Sequence, residues 1–251
     1  MKCINKKVCV SAIWVIVLTF STTYLYSQKS YRIKADISIK DKHTENTYGL
    51  TIGKVYYSIV SKKLVYKLSF PSQETIVIKD TILYKIDNNG TIKNEQRTLL
   101  VNEFTIFHLS LSGKLSDYGL SQGNTSKIYK VQKVEKDANG RVITTWEVAE
   151  KKLIKLMGKI KMANVDKKLD AIAFYDLQGK LLSQQFFKDY DNINGVIFPK
   201  QITQISYNAD GTQKIQQTTF KNIEIDESGE DNIYDYPLPV PALPGSGKSP
   251  K

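Results

Sequence analysis

One short device recurs four times along this chain: DNNG at 87–90, DANG at 137–140, DLQG at 176–179 and NADG at 208–211. Each copy sits between two runs in which apolar and polar residues alternate. An Asp or Asn opens the turn and a Gly supplies its positive-φ position, which is how a type I turn with a bulge closes an antiparallel hairpin. Four such turns at hairpin positions predict an antiparallel meander and argue against a parallel α/β sheet. Stretches with helical spacing are few, so the expected fold class is mainly β.

Alternation also assigns faces. Tyr31, Ile33, Ala35, Ile37 and Ile39 point one way, and Arg32, Lys34, Asp36, Ser38 and Lys40 the other, as in a half-buried strand. Segments 53–59 and 64–70 read as a hairpin around Ser61-Lys62, with Ile59 opposite Leu64, Tyr57 opposite Tyr66 and Val55 opposite Leu68. That register makes one face continuously apolar. The other, with Lys54, Tyr56, Ser58, Val65, Lys67 and Ser69, is mostly polar, and a one-residue slip would scramble both. Pro71 is expected to end the second strand at a sheet edge, where its missing N–H costs no ladder bond. A helix is predicted over Asn102–Ser112, because Phe104, Phe107 and Leu111 fall at helical spacing. The apolar run around Leu153–Met157 fits a strand or a helical turn equally, and 119–126 reads as a loop.

The two ends differ from the body. MKCINKK, VCVSAIWVIVLTF and STTYLYSQ follow the charged, apolar and small-polar order of a secretory signal peptide with a cut after Ser27. An uncleaved N-terminal membrane anchor is the alternative, since the apolar character persists for about a bilayer's thickness. Cys3 and Cys9 both lie in this segment, so the processed domain would have no thiol or disulfide and would depend on core burial. Five of the seven prolines fall at 237–251. The expected organisation is therefore a signal peptide at 1–27, a β domain at 28–236 and a flexible Pro-rich tail at 237–251.

The formal charge is +11; losing Lys2, Lys6 and Lys7 takes 36 basic residues to 33 against 25 acidic ones, a formal +8. The lysines alternate with apolar residues and read as solvated strand faces, with attraction to anionic membrane surfaces as the alternative. No basic recognition helix is present, so nucleic acid is not an expected partner.

Motifs for chemistry fail on context. ALPGSGKS at 242–249 satisfies a relaxed phosphate-loop pattern, but only two residues follow it and no helix N-terminus is available to hold a phosphate. His43 and His108 have no His or Cys partner at metal-ligand spacing. A His108 base lacks a nucleophile elbow. The carboxylates Glu224, Asp226, Glu227, Glu230 and Asp231 lie in a polar run that reads as a solvated loop, not as a pair across a cleft. No catalytic residue, metal or cofactor is expected, and the chain reads as a non-enzyme.

What remains is apolar. Val55, Tyr57, Ile59, Leu64, Tyr66, Leu68 and Phe70 share one predicted face, with Phe104, Phe107 and Leu111 on the helix nearby. They form either an ordinary core or a lipid-chain cavity. A curved sheet with few helices has more concave surface than they cover. Each methylene buried there would contribute about 0.8 kcal/mol. On the residues alone both readings stand.

LVYKLSFP, ETIVI, KD and TILYKID run from Leu64 to Asp87, and KLDAIAFYDLQGKLLSQQFFKDYDNINGVIFPKQI from Lys168 to Ile202. The first block has an aromatic-rich strand, a Pro, a strongly apolar strand and a tight turn. In the second, an Asp-x-x-Gly turn leads to an aromatic strand and Gly-x-x-x-Pro. This order resembles the LolA-like family, the periplasmic carriers of outer-membrane lipoproteins and their relatives, over about residues 31–225. The resemblance implies an open, incomplete antiparallel β-barrel with one or two helices packed on its concave face. It also implies export to a Gram-negative periplasm and acyl chains of lipids or lipoproteins as partners of a monomer. Leu64, Tyr66 and Leu68 match the inward positions before Pro71, Ile76 and Ile78 those after it, and Leu83 the one beyond the turn. With Val55, Tyr57, Ile59, Phe70, Phe104, Phe107 and Leu111 they make up the expected acyl-chain site. An envelope sensor or protein-interaction module on the same fold is the alternative. The chain departs from the pattern in having no amphipathic helix before Tyr31 and in carrying Asp80-Thr81 at the central turn, where Asp-Gly is usual.

Overall fold

The structure, a computed structural model, describes residues 31–42, 47–98, 102–121, 123 and 125–238. The N-terminal segment with both cysteines, His43 and the glycine-rich 242–249 stretch lie outside the described residues. Thirteen strands make one antiparallel sheet. Six precede the helical stretch: β1 (Arg32–Lys42), β2 (Tyr48–Ser58), β3 (Lys63–Phe70), β4 (Glu74–Lys79), β5 (Ile82–Ile86) and β6 (Ile92–Arg97). Seven follow it: β7 (Tyr129–Lys136), β8 (Val142–Val148), β9 (Ile160–Val165), β10 (Lys168–Tyr175), β11 (Leu181–Ile193), β12 (Val196–Tyr207) and β13 (Gln213–Ile225). The order is β6-β5-β4-β3-β2-β1-β13-β12-β11-β10-β9-β8-β7. The two edges, β6 and β7, do not pair, so the sheet stays open as expected.

The chain thus meanders to one edge, crosses to the other, and meanders back until β13 closes on β1. The crossing segment carries the helix read from the sequence. A 3-10 turn at Asn102–Phe104 leads into α1 (Ile106–Leu111), whose N-cap Thr105 accepts a hydrogen bond from the His108 N–H. Two other short helices are α2 (Thr125–Ile128) and α3 (Asp231–Tyr234). The stretch at 151–156 forms turns, with Ile154 and Leu156 exposed.

All four Asp/Asn-x-x-Gly segments close hairpins, β5–β6, β7–β8, β10–β11 and β12–β13, with one shared geometry. In each the Gly N–H donates to the carbonyl of the opening residue over 3.0–3.2 Å, and the glycines have φ between +79° and +85°. The Asp87, Asp137 and Asp176 carboxylates also accept backbone N–H bonds from two and four residues on. An Asx turn therefore fixes the hairpin ends locally.

The β2–β3 register differs from the sequence reading. Tyr57 pairs with Leu64 and Val55 with Tyr66, while Ile59 lies in a four-residue turn, 59–62, before β3 begins at Lys63. The longer turn shifts the pairing by two residues. Because the side-chain period is two, every residue up to Leu68 keeps its face while changing its partner. Phe70 does not keep its face. A bulge sets Gly53 opposite Leu68 but Ile52 opposite Phe70, so the extra residue turns Phe70 onto the outer face beside Ile52, 48% exposed. The bulged backbone comes so near that a Cβ on Gly53 would lie 2.3 Å from the Lys67 carbonyl oxygen. Nor is Pro71 at an edge. β3 is an interior strand between β2 and β4, and Pro71, after a cis peptide bond, lies in the turn that joins β3 to β4.

α1 carries apolar residues on two sides because two cores meet at it, with His108 and Ser110 as its polar members. Phe107 and Leu111 enter a core with Ile33, Val55, Tyr57, Leu64, Phe198 and Phe220, whereas Leu109 enters a second with Trp146, Ile160, Leu169 and Phe187. The helix thereby joins the inner faces of the two halves of the sheet.

A third cluster lies on the outer face, which the sequence reading left mostly polar. Tyr56, Val65, Val77, Tyr84 and Ile86 are covered there by Tyr234, with Ile233, Tyr236 and Leu238 packed beside them. The covering segment is fastened by the acidic run that reads in sequence as a solvated loop. Asp226 accepts the Tyr31 and Arg32 N–H groups at 2.8 and 3.0 Å, Lys34 is shared by Glu224 and Glu230, and Arg32 pairs with Asp231. Those carboxylates are solvent-exposed yet tied. The packed segment runs on to Leu238, past the change of composition at Pro237.

Candidate functional site

The thirteen apolar residues expected to line a cavity separate into groups. Val55, Tyr57, Leu64, Ile78, Phe107 and Leu111 are buried in the core beneath and within α1. Ile59, Tyr66, Leu68, Ile76 and Leu83 are half-buried against that core. Phe104 is half-buried and stacks on Tyr118, ring centroids 6.3 Å apart. Phe70 lies on the opposite face.

Three of the thirteen meet at the N-terminal end of α1. There Tyr66, Phe104 and Phe107 line a pocket of about 210 Å³ with Ile37, Ile39, Tyr118, Phe187, Ile202 and Phe220. Phe107 forms its inner wall, stacked on Tyr57 and Phe198 at 6.3 and 5.9 Å and edge-on to Phe220 at 5.6 Å. Burial pushes the Tyr66 and Tyr118 hydroxyls up to about 12, so both stay protonated donors at neutral pH.

Sequence reasoning missed half of this pocket, the part contributed by β1 and β11–β13. One row further along those strands the lining becomes amide. Gln185 pairs with Gln204, Gln204 with Gln216, and Gln216 with Asp41, whose carboxylate accepts its side-chain N–H at 2.9 Å. Gln185, Gln204 and Gln216 all border the pocket. The signal was present as glutamines at apolar-phase positions of SQQF, QITQIS and KIQQTT, but only the register aligns them.

His108 supports the helix. Its Nδ1 lies 2.8 Å from the Tyr57 hydroxyl, and its ring is edge-on to the Tyr57 ring. Burial holds its pKa below the usual value; Glu103 opposes this, and Lys114 and Lys62 reinforce it. No Ser or Asp side chain bonds the ring among the described residues, so a Ser-His-Asp set is not assembled. The unfolded imidazole titrates near 6.5 and the folded one lower, so the unfolded chain binds the extra proton between those values. His108 thus contributes stability above pH ~6.5 that is lost as the pH falls through that value. The thermal midpoint is expected to drop between about pH 7.5 and 5.5, and His108→Gln to flatten that part of the curve. A variant curve parallel to the parental one would remove His108 from the account.

Among the described residues no group of three or more His, Cys, Asp or Glu could hold a metal ion, and no helix is long and apolar enough to cross a membrane.

No family model matches the chain, and no curated protein does. Solved structures match it in fold. It superposes on a LolA superfamily protein from Nitrosomonas europaea with a TM-score of 0.52 at 13% identity, covering 83% of this chain and 91% of that one. This chain has a LolA-like fold. A domain assigned to outer membrane lipoprotein sorting in Vibrio parahaemolyticus shares it, with TM-score 0.54, 13% identity and 81% and 89% coverage. So does a DUF1329 family protein from Desulfovibrio piger, with TM-score 0.54, 11% identity and 90% and 97% coverage. The LolA-like fold places the helical crossing on the inner face of an open sheet, where the apolar pocket lies.

Proposed function

We propose that this is an exported, non-enzymatic binding protein that takes an acyl chain of a lipid or lipoprotein into the pocket at the N-terminal end of α1. The observation that carries the reading is the pocket's two-part lining. Its apolar wall, Tyr66, Phe104, Phe187 and Ile202 among others, gives way to the amide row of Gln185, Gln204 and Gln216. A hydrocarbon chain needs no polar partner on the wall, and an ester or amide carbonyl finds donors at the row. The lipoprotein-sorting domain that shares the fold supports the same substrate class, and the signal-like 1–27 segment supports export to a periplasm, with membrane anchoring as the alternative. Binding is reversible burial by a monomer, without covalent chemistry.

Native mass spectrometry of the protein purified from cells is expected to show co-purified lipid. Tyr66→Glu should abolish uptake of a fluorescent acyl ester with a neutral head, because a carboxylate on an apolar wall costs several kcal/mol. A lipid-free protein that also ignores the probe would end this reading, and an unaffected Tyr66→Glu would move the site.

One observation favours a second reading, an envelope sensor or protein-interaction module. Six of the thirteen expected cavity residues are already sealed core, and about 210 Å³ is small beside the ~300–1,000 Å³ of ordinary ligand pockets. Crosslinking in the envelope that captures one stoichiometric protein partner and no lipid would favour the module.

A further inference from the structure

α1 ends at a second, larger cleft that shares no residue with the pocket at its other end. Gly113, at φ +67°, turns the chain off the helix, and the carbonyls of His108, Leu109 and Ser110 are taken by the N–H groups of Ser112, Lys114 and Gly113. The departing segment then faces two hairpin turns. Asp166 and Lys167 join β9 to β10, and Asn194 and Gly195 join β11 to β12, all four at positive φ as two-residue hairpin loops require. Between them lies a cleft of about 950 Å³.

Its lining is amphipathic. Ile59, Leu111, Leu115, Leu169 and Val196 give it an apolar floor. Lys114, Lys167 and Lys168 stand on its rim against one carboxylate, Asp166. No ion pair among the described residues occupies any of the three ammonium groups, although Lys168 Nζ lies 5.7 Å from the centroid of the Tyr190 ring. Ser110, only 5% exposed, borders the cleft, with its Oγ sealed from solvent.

We propose that this cleft binds an anionic amphiphile. Its oxyanion, a carboxylate or a phosphate, is held by Lys114, Lys167 and Lys168, and its apolar body lies on Ile59, Leu111 and Leu169. Ammonium–oxyanion bonds are charge-assisted, and the apolar floor lowers the local dielectric, which strengthens them. A bare anion would leave the floor wet, and a neutral amphiphile would leave the lysines unused. The inference does not depend on the reading of the pocket at the other end of α1.

Calorimetric titration of the purified full chain, below the micelle concentration of each probe, separates these cases. Laurate and dodecyl phosphate are expected to bind, with monolaurin and inorganic phosphate weaker by roughly ten-fold or more. A preference between the first two names the source, a fatty acid or a phosphate monoester. The combined Lys114→Gln, Lys167→Gln and Lys168→Gln variant should lose at least about ten-fold in affinity. The titrations are run in the Tyr66→Glu background, which closes the other pocket and should leave laurate binding here unchanged. Equal affinity for monolaurin and laurate, or parental affinity in the lysine variant, would overturn the proposal. Lys167→Gln alone, at an exposed turn, provides the same test in milder form should the combined variant not fold.

Discussion

Phe107→Ala is expected to lower the unfolding free energy by about 3–5 kcal/mol, the range for removing a buried aromatic ring. In a chain of this size that corresponds to a fall on the order of 10 °C in thermal midpoint. The ring is 3% exposed and touches three others, Tyr57, Phe198 and Phe220. Those rings come from β2 on one side of β1 and from the β12–β13 hairpin on the other, segments distant from each other in sequence. Phe107 is therefore where α1 is fastened to the sheet. α1 is only six residues long, too short to persist without tertiary packing. Removing the ring also deletes the inner wall of the pocket, so an apolar probe should bind more readily per folded molecule even as stability falls. Phe107→Leu, which retains most of the volume, should recover much of the loss. A change below about 1 kcal/mol in denaturant titration would mean that the helix is not anchored through this residue.

Ending the chain after Ser228 is expected to have a comparable or greater effect through the opposite face. The truncation retains Asp226, which caps the start of β1, but removes Tyr234 and its edge-on contact with Tyr56 at 5.4 Å. Burial of the Tyr234 ring contributes roughly 2–3 kcal/mol on transfer arithmetic. Tyr56, Val65, Val77 and Ile86 would then lie open as one apolar patch. Lys63, which is buried, would lose both Asp235 and the Tyr236 carbonyl. The surface ion pairs of Lys34 and Arg32 add little, up to about 1 kcal/mol each. The truncated chain should aggregate or melt at least about 10 °C below the parent by circular dichroism, and Tyr234→Ala alone should reproduce much of the shift. A truncated chain as stable and soluble as the parent would show that the outer face needs no cover.

These two effects differ in how far the sequence discloses them. Phe107 and its helix were legible because Phe104, Phe107 and Leu111 recur at helical spacing inside a β-rich chain. The strap was not. Tyr56, Val65 and Val77 each occupy the polar phase of an alternating strand, and their cover arrives from residues 233–238. Nothing local to β2 or β3 records that. The candidate pocket was legible on one side only: Tyr66, Phe104 and Phe107 were named, whereas Ile202, Phe220 and the glutamine row come from strands that no short-range pattern sets beside β1.

By itself the sequence determined what depends on neighbours along the chain. Strand alternation, four Asx-Gly hairpins, one helix and a mainly β, antiparallel architecture all follow from side-chain periodicity and turn stereochemistry, which act within a few residues; the open sheet was implied by the family resemblance. Tertiary structure decided the rest. A period of two assigns a face but is blind to a shift of two, so the length of the 59–62 turn chose the partners of Val55 and Tyr57. One bulge residue moved Phe70 to the other side of the sheet. Which apolar surface became core, pocket or covered outer face depended on where the 102–128 crossing and the C-terminal strap came to rest. Burial is a property of packed surfaces, and the surfaces that meet here are distant in sequence, by 172 and 173 residues for Lys63 and its two partners on the strap.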